Sequence, residues 1–233
     1  MSITAQQFRS ELGLIRAALT DQGQRVTEMA AECFDAVYRR DTQAARAIVE
    51  RDDEVDRADV EIERRCVELL VRSANQACDA GAGPIRSLLT CVKVNNELER
   101  IADAATGVAE RVIRLGDRTT PFPKTLLVMT NSVVGIVRDA VKAFGAADPV
   151  LAKAVLASEG AVVKFKELIT RDAEERVADG RMSVEVAFEL HGIAYQAVTM
   201  ADHCTNIAEQ IIYETSGQIV RHTSGEWVEL PNL

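Results

Sequence analysis

Apolar residues recur at three- and four-residue steps along almost the whole chain, the period of one face of an α-helix. A first segment runs from about Thr4 to Arg39, with Leu12, Ile15, Leu19, Val26, Met29, Cys33 and Val37 on one stripe. Asp41-Thr42 is a cap signal for a second helix reaching roughly Asp79. Within it Ile48, Val55, Ile62 and Leu69 repeat every seven residues, the seam of a helix that packs along its whole length. Gly81-Ala82-Gly83-Pro84 interrupts the pattern, with Pro84 placed to open a third helix that continues to about Leu115. Its seam reads Leu98, Ile101, Ala105, Val108, Val112, Leu115.

The segment from Gly116 to Pro123 is the longest run of turn-formers and marks a boundary between halves. A fourth helix follows to Phe144, Asp148-Pro149 caps a fifth that ends near Gly180, and Ser183 starts a sixth. The sixth carries a seam of Val186, Leu190, Ile193, Ala197, Met200, Cys204, Ile207 and Ile211, and the tail beyond Gly217 has no clear period. Two internal matches tie the halves together. The run from Glu99 to Glu110 aligns with Val198 to Glu209 at an offset of 99, and Ala45 to Val49 aligns with Ala152 to Leu156 at 107. The pattern predicts an all-α fold of two tandem three-helix bundles, six long helices with a pseudo-twofold repeat. Residues 1–117 form the first repeat, 118–217 the second, and 218–233 a C-terminal tail.

Composition supports helices packed through aliphatic side chains: 47% of the 233 residues are hydrophobic and only 4% aromatic. A formal charge of -9 argues against nucleic acid and against an anionic membrane surface, both of which need clustered Lys and Arg. No run approaches the roughly 18 apolar residues of a membrane span. The nearest, Leu126 to Val137, is broken by Thr130, Asn131 and Ser132. The amino terminus lacks a signal-peptide pattern, and five cysteines at no ligand-like spacing suit a reducing cytosol. A soluble cytoplasmic chain is expected.

The candidate chemistry lies in carboxylates. Asp52 and Asp56 stand four apart, as do Glu99 and Asp103, so each pair occupies one helix face, one turn apart. Two such pairs on facing helices would present four hard oxygen ligands to a divalent cation. Asp59 and Glu63 extend the stripe on the second helix. The alternative is a solvated face whose acids pair with Arg51, Arg57, Arg64, Arg65, Arg100 or Arg111. His203 beside Asp202 is a further conceivable ligand. A di-iron site would need Glu-x-x-His, and none of His191, His203 and His222 follows a glutamate at that spacing. No nucleophile elbow, phosphate loop or Walker lysine occurs, so catalysis is not indicated.

The stretch Leu98-Glu99-Arg100-Ile101-Ala102-Asp103, with Arg86 and Lys93 before it and Val108-Ala109 after it, resembles the Leu-Glu-Arg-Ile-Gly-Asp helix of PhoU proteins, the phosphate-uptake regulators. Asp52 to Asp56 resembles that family's other acidic element, and Asp202 to His222 looks like the end of its second repeat. The resemblance extends from about Phe8 to His222. It implies a regulator, not an enzyme, that represses the phosphate-starvation response by contacting the ATPase of the phosphate importer and a membrane sensor histidine kinase. It also implies a homodimer and a divalent metal ion (Fe, Zn, Mn or Mg) at Asp52, Asp56, Glu99 and Asp103. Glu159 and Asp202 are weaker candidates, because the second repeat departs from the pattern. Val198 stands in the glutamate's place, and Glu159-Gly160-Ala161-Val162-Val163 ends in valine where an aspartate is usual. Ala102 replaces the motif's glycine, and Pro84 an aspartate at the head of the third helix. Two other functions suit the same residues: a metal-binding or metal-storage helical protein, and a structural oligomerisation module that contacts no transporter.

Overall fold

A computed structural model describes residues 3–76, 78–116, 118, 120–217, 219–223 and 226–230. Expectations that fall on Met1, Ser2, Asp117, Thr119 and Gln218 lie outside the described residues. Six helices follow in order: α1 (Ala5–Arg39), α2 (Thr42–Asn75), α3 (Ala82–Leu115), α4 (Lys124–Ala146), α5 (Pro149–Ala178) and α6 (Val184–Ser216). A two-stranded antiparallel sheet, β1 (Ile219–Thr223) and β2 (Glu226–Leu230), closes the chain, with Val220 opposite Glu229 and His222 opposite Trp227.

Local chemistry sets the helix starts. Thr4 and Gln7 form a reciprocal capping box at the head of α1. Asp41 accepts from the Gln43 and Ala44 amides, Asp148 from Val150 and Leu151 with Pro149 in the first turn, and Ser183 from Val186. The structure corrects two boundaries. α2 ends at Asn75, four residues short of Asp79. α3 begins at Ala82, so Pro84 sits inside the first turn instead of opening it. That position costs nothing in hydrogen bonding, because first-turn amides have no intrahelical acceptor. Among its described residues the tail holds β1 and β2, where the sequence offers no helical period.

α1, α2 and α3 pack on one another, as do α4, α5 and α6; the two repeats join through α3 against α6 and α1 against α4. α2 and α5 lie outermost. α2 buries its heptad seam Ile48, Val55, Ile62 and Leu69 and leaves most of its surface to water. α6 is central: the run from Ile207 to Ile212 is buried without a break. Arg111 meets Glu189 while Glu97 meets His203 and Asn206, so α3 and α6 run antiparallel. The connection before α4 is fastened at both sides. Arg40, in a left-handed conformation (φ 56°), donates to the Thr120 carbonyl at 2.9 Å and stacks 3.8 Å over Phe122. Arg176 of α5 donates to the Pro121 carbonyl at 3.0 Å.

Candidate functional site

The two carboxylate pairs face each other across the groove between α2 and α3. The buried seams on either side, Val55 and Ile62 on α2 and Leu98 and Ile101 on α3, fix the rotation of both helices. That rotation leaves Asp52, Asp59 and Glu99 half-buried and Asp56 and Asp103 at the solvent edge. Asp59 belongs to the cluster although only Asp52, Asp56, Glu99 and Asp103 were expected there. Its position is secured by Asn95 of α3, whose Nδ2 donates to the Asp59 carbonyl at 2.9 Å and to its Oδ1 at 2.6 Å. Its three-residue step from Asp56, a same-face spacing, places it on the acidic stripe of α2 without naming it a ligand.

The charges of these acids reach across the seam. The Asp52 carboxyl is pushed above the usual range by burial, then by Asp103 and Asp56. Asp103 is raised by burial and then by Asp56. Glu99 is raised by burial, then by Asp103 and Asp59, and Asp59 by burial and then by Glu63 and Asp56. Thr106 favours the charged form of Asp52. The pair nevertheless falls short of hydrogen-bond geometry, leaving Asp52 Oδ1 and Thr106 Oγ1 both buried without a partner.

Several of the expected arginine partners are engaged elsewhere, while Arg100 acts on Glu99 and Asp103 through its charge without closing an ion pair. Arg51 pairs with Glu32, Arg64 with Glu61 and Glu68, and Arg111 with Glu189. Arg57 donates to the Asp53 carbonyl. Among the described residues none of Asp52, Asp56, Glu99 and Asp103 forms an ion pair. Nor do any three carboxylate, imidazole or thiol groups among the described residues converge tightly enough to enclose one ion. The donor types suit a hard divalent cation in charge, and Asp52 carries an orphaned carboxylate oxygen, but the described side chains do not enclose an ion.

The second repeat is chemically different. Asp202 is exposed and Glu159 half-buried, each with interactions of its own. Val198, in the place of Glu99, packs against the hydrophobic core, and Val163 is half-buried. His203 turns away from a ligand role toward α3, where Nδ1 lies 2.7 Å from Glu97 Oε2; Asn206 donates to the same oxygen at 3.0 Å. His191 shares a 3.3 Å contact with Thr170. Burial pushes the Cys66 thiol up to about 11 and that of Cys91 to about 12, and lifts Cys33 and Cys204 too, which disfavours a reactive thiolate at these four.

No helix among the described residues is long and apolar enough to cross a membrane. The description of the PhoU domain matches twice, over residues 19–112 and 126–211, one match to each three-helix half. A phosphate-specific transport system accessory protein PhoU homolog from Zymomonas mobilis is 31% identical over 231 residues, covering 96% of this chain and 93% of that protein. A PhoU homolog of Thermotoga maritima is 28% identical, over 91% of this chain and 90% of its own length. The crystal structure of PhoU from Pseudomonas aeruginosa superposes with a TM-score of 0.85 at 25% identity, covering 91% of this chain and all of that one. The names these relatives carry describe an accessory protein of transport and not an enzyme. With both halves matched, the chain belongs to the PhoU family.

Proposed function

We propose that this protein is a cytoplasmic regulator of phosphate-specific transport that acts by protein contact. In phosphate-replete cells it holds down the phosphate-starvation response through the ATPase of the phosphate importer and a membrane sensor histidine kinase, working as a homodimer. The observation that carries this reading is the double family match, one PhoU domain for each three-helix half. Its relatives' names as accessory proteins of phosphate-specific transport support the transporter as the point of action.

A divalent cation is part of the proposal. Asp52, Asp56, Glu99 and Asp103 would hold it, with Asp59 adjoining, and the ion would add positive charge to that of Arg100, which acts on Glu99 and Asp103. Such an ion would tie α2 to α3 and fix the face the first repeat shows to a partner. Deleting the gene in its host is the test. Phosphate uptake and alkaline phosphatase output in phosphate-rich medium should both rise, and unchanged values would overturn the regulatory reading.

A further inference from the structure

Besides the α3–α6 crossing, the repeats meet along α1 and α4, and there the packing leaves a groove. Its largest section, about 690 Å³, lies between residues 20–31 of α1 and 138–146 of α4. A second section of about 430 Å³ adjoins it through Ala31 and Arg138. A third of about 430 Å³ adjoins the second through Tyr38 and Leu127. From Thr20 to Arg40 this is about 30 Å of helix, or roughly 20 residues at 1.5 Å each.

The floor and the walls differ in chemistry. Ala31, Gly135 and Gly145 keep the floor low, and a Cβ added at Gly135 would meet no atom within 4 Å. Tyr38 and Leu127 offer partly exposed apolar surface, 37% and 47% respectively. The α1 wall carries Glu28 and Asp35 one heptad apart before Arg40 ends it; the α4 wall is basic, with Arg138 and Lys142 one turn apart and Lys124 at the far end. These walls do not neutralise each other. Asp35 pairs with Arg39 on its own helix, and Glu28, Arg138 and Lys142 form no ion pair among the described residues.

We propose that this groove receives an amphipathic helix of a partner protein, with an apolar stripe flanked by a basic edge against α1 and an acidic edge against α4. The proposal rests on the reading of the chain as a protein adaptor and assigns that adaptor a docking surface. A helix fills such a groove, whereas two copies meeting face to face would hold their apolar floors apart.

A synthetic 21-residue helix with a Leu/Ala stripe, Lys on one edge and Glu on the other is the probe. Reversing a helix in a groove exchanges its edges, so the controls carry Lys on both edges or Glu on both. The Lys/Glu peptide should bind the full chain at micromolar Kd and protect amides of residues 20–40 and 124–146 from exchange. Both controls should bind several-fold more weakly. Gly135→Leu should weaken binding at least tenfold without lowering the melting temperature, because leucine replaces a helical glycine above open space. Glu28→Lys should weaken it too, and the loss should shrink at high salt. Equal binding to Gly135→Leu, equal binding of the three peptides, or protection mapped elsewhere would overturn the assignment. So would sedimentation showing that Gly135→Leu splits a dimer of this chain, since the occupant would then be a second copy. In the deletion host, full repression by Gly135→Leu would remove the groove while leaving the adaptor reading intact.

Discussion

Replacing Glu99 by valine, the residue the second repeat carries at Val198, isolates the charge of the acidic seam from its packing. Glu99 is half-buried and its carboxyl is raised by burial and by Asp103, Asp59 and Asp56, with Arg100 opposing, so the summed repulsion of these acids is an upper bound. Like charges one turn apart on a helix repel by a few tenths of a kcal/mol, and exposure of these groups keeps the cross-seam pairs no larger. Three such neighbours sum to about 1 kcal/mol, or roughly 2–4 °C in Tm for a chain of this size. The pH dependence has a definite sign. Asp52, Asp59, Glu99 and Asp103 all have raised folded-state values, so the folded chain holds these protons longer than the unfolded one. Their stabilising contribution is complete below about pH 4, the unfolded carboxylate range, and is lost as pH rises through the folded values. In chelator, then, the wild-type melt should fall between pH 5 and pH 7 more than that of Glu99→Val, which should melt higher at pH 7. Manganese at a hundredfold excess over its Kd should restore about 2.7 kcal/mol to the wild type and nothing to Glu99→Val. Calorimetric titration should show binding lost in Glu99→Val and kept in Asp202→Ala. Superimposable wild-type melts with chelator and with manganese, or equal losses in the two variants, would refute the argument.

Two further perturbations probe the joints between repeats. At Gly192 a Cβ would collide with the Arg111 guanidinium, which bridges to Glu189 at 3.1 Å. Gly192→Ala should therefore cost about 1 kcal/mol in the wild type: a lost charged hydrogen bond of about 2 against a helical gain of about 1. In an Arg111→Ala background it should stabilise instead, and thermal melts of the four-member cycle check the change of sign. Arg16 of α1 reaches Glu214 of α6 at 2.6 Å, the Phe144 carbonyl of α4 at 2.7 Å and Ser87 of α3 at 3.1 Å. With the pair only 20% and 12% exposed, Glu214→Ala should cost about 2 kcal/mol by stranding the guanidinium. Urea midpoints shifted by much less would show that the remaining partners satisfy it.

The hydrophobic seams were fully legible because a helix buried on one stripe repeats its apolar residues at the helical period, and nearly every residue assigned to a seam is buried. The caps at Asp41, Asp148 and Ser183 were legible for the same local reason. The strands of the tail were not legible because two five-residue runs carry no helical period, which is what a search for three- and four-residue steps detects. The acidic pairs could be read as lying on facing helices, but their partners could not. Which arginine neutralises which acid depends on helix crossings, and here Arg51 turns to α1 and Arg111 to α6. Asp59 was legible as part of the acidic stripe, but its fixed place beside Glu99 follows from Asn95, a residue of another helix.

The α3–α6 crossing shows which parts of the repeat the fold requires and which it leaves open. Under the 99-residue offset Glu97 corresponds to Gln196 and Gly107 to Asn206. In the structure Glu97 contacts Asn206 and Gln196 lies against Gly107, so one contact occurs twice about the pseudo-twofold. Its polar side chains differ in charge, yet both copies put a long side chain opposite a short one. The crossing therefore constrains size more than chemistry, as close approach of two buried helices demands. The outward faces carry no such constraint. There the first repeat sets Glu99 against Asp59, while the second sets Val198 on the core, at no cost to the packing of α5 and α6. A fold that accommodates valine at this position in its second repeat does not need a carboxylate there for stability, and in the first repeat burial and the neighbouring acids raise these carboxyls. On the proposed function, the acidic seam of the first repeat is the part carried for binding, and the second repeat is the symmetric scaffold beside it.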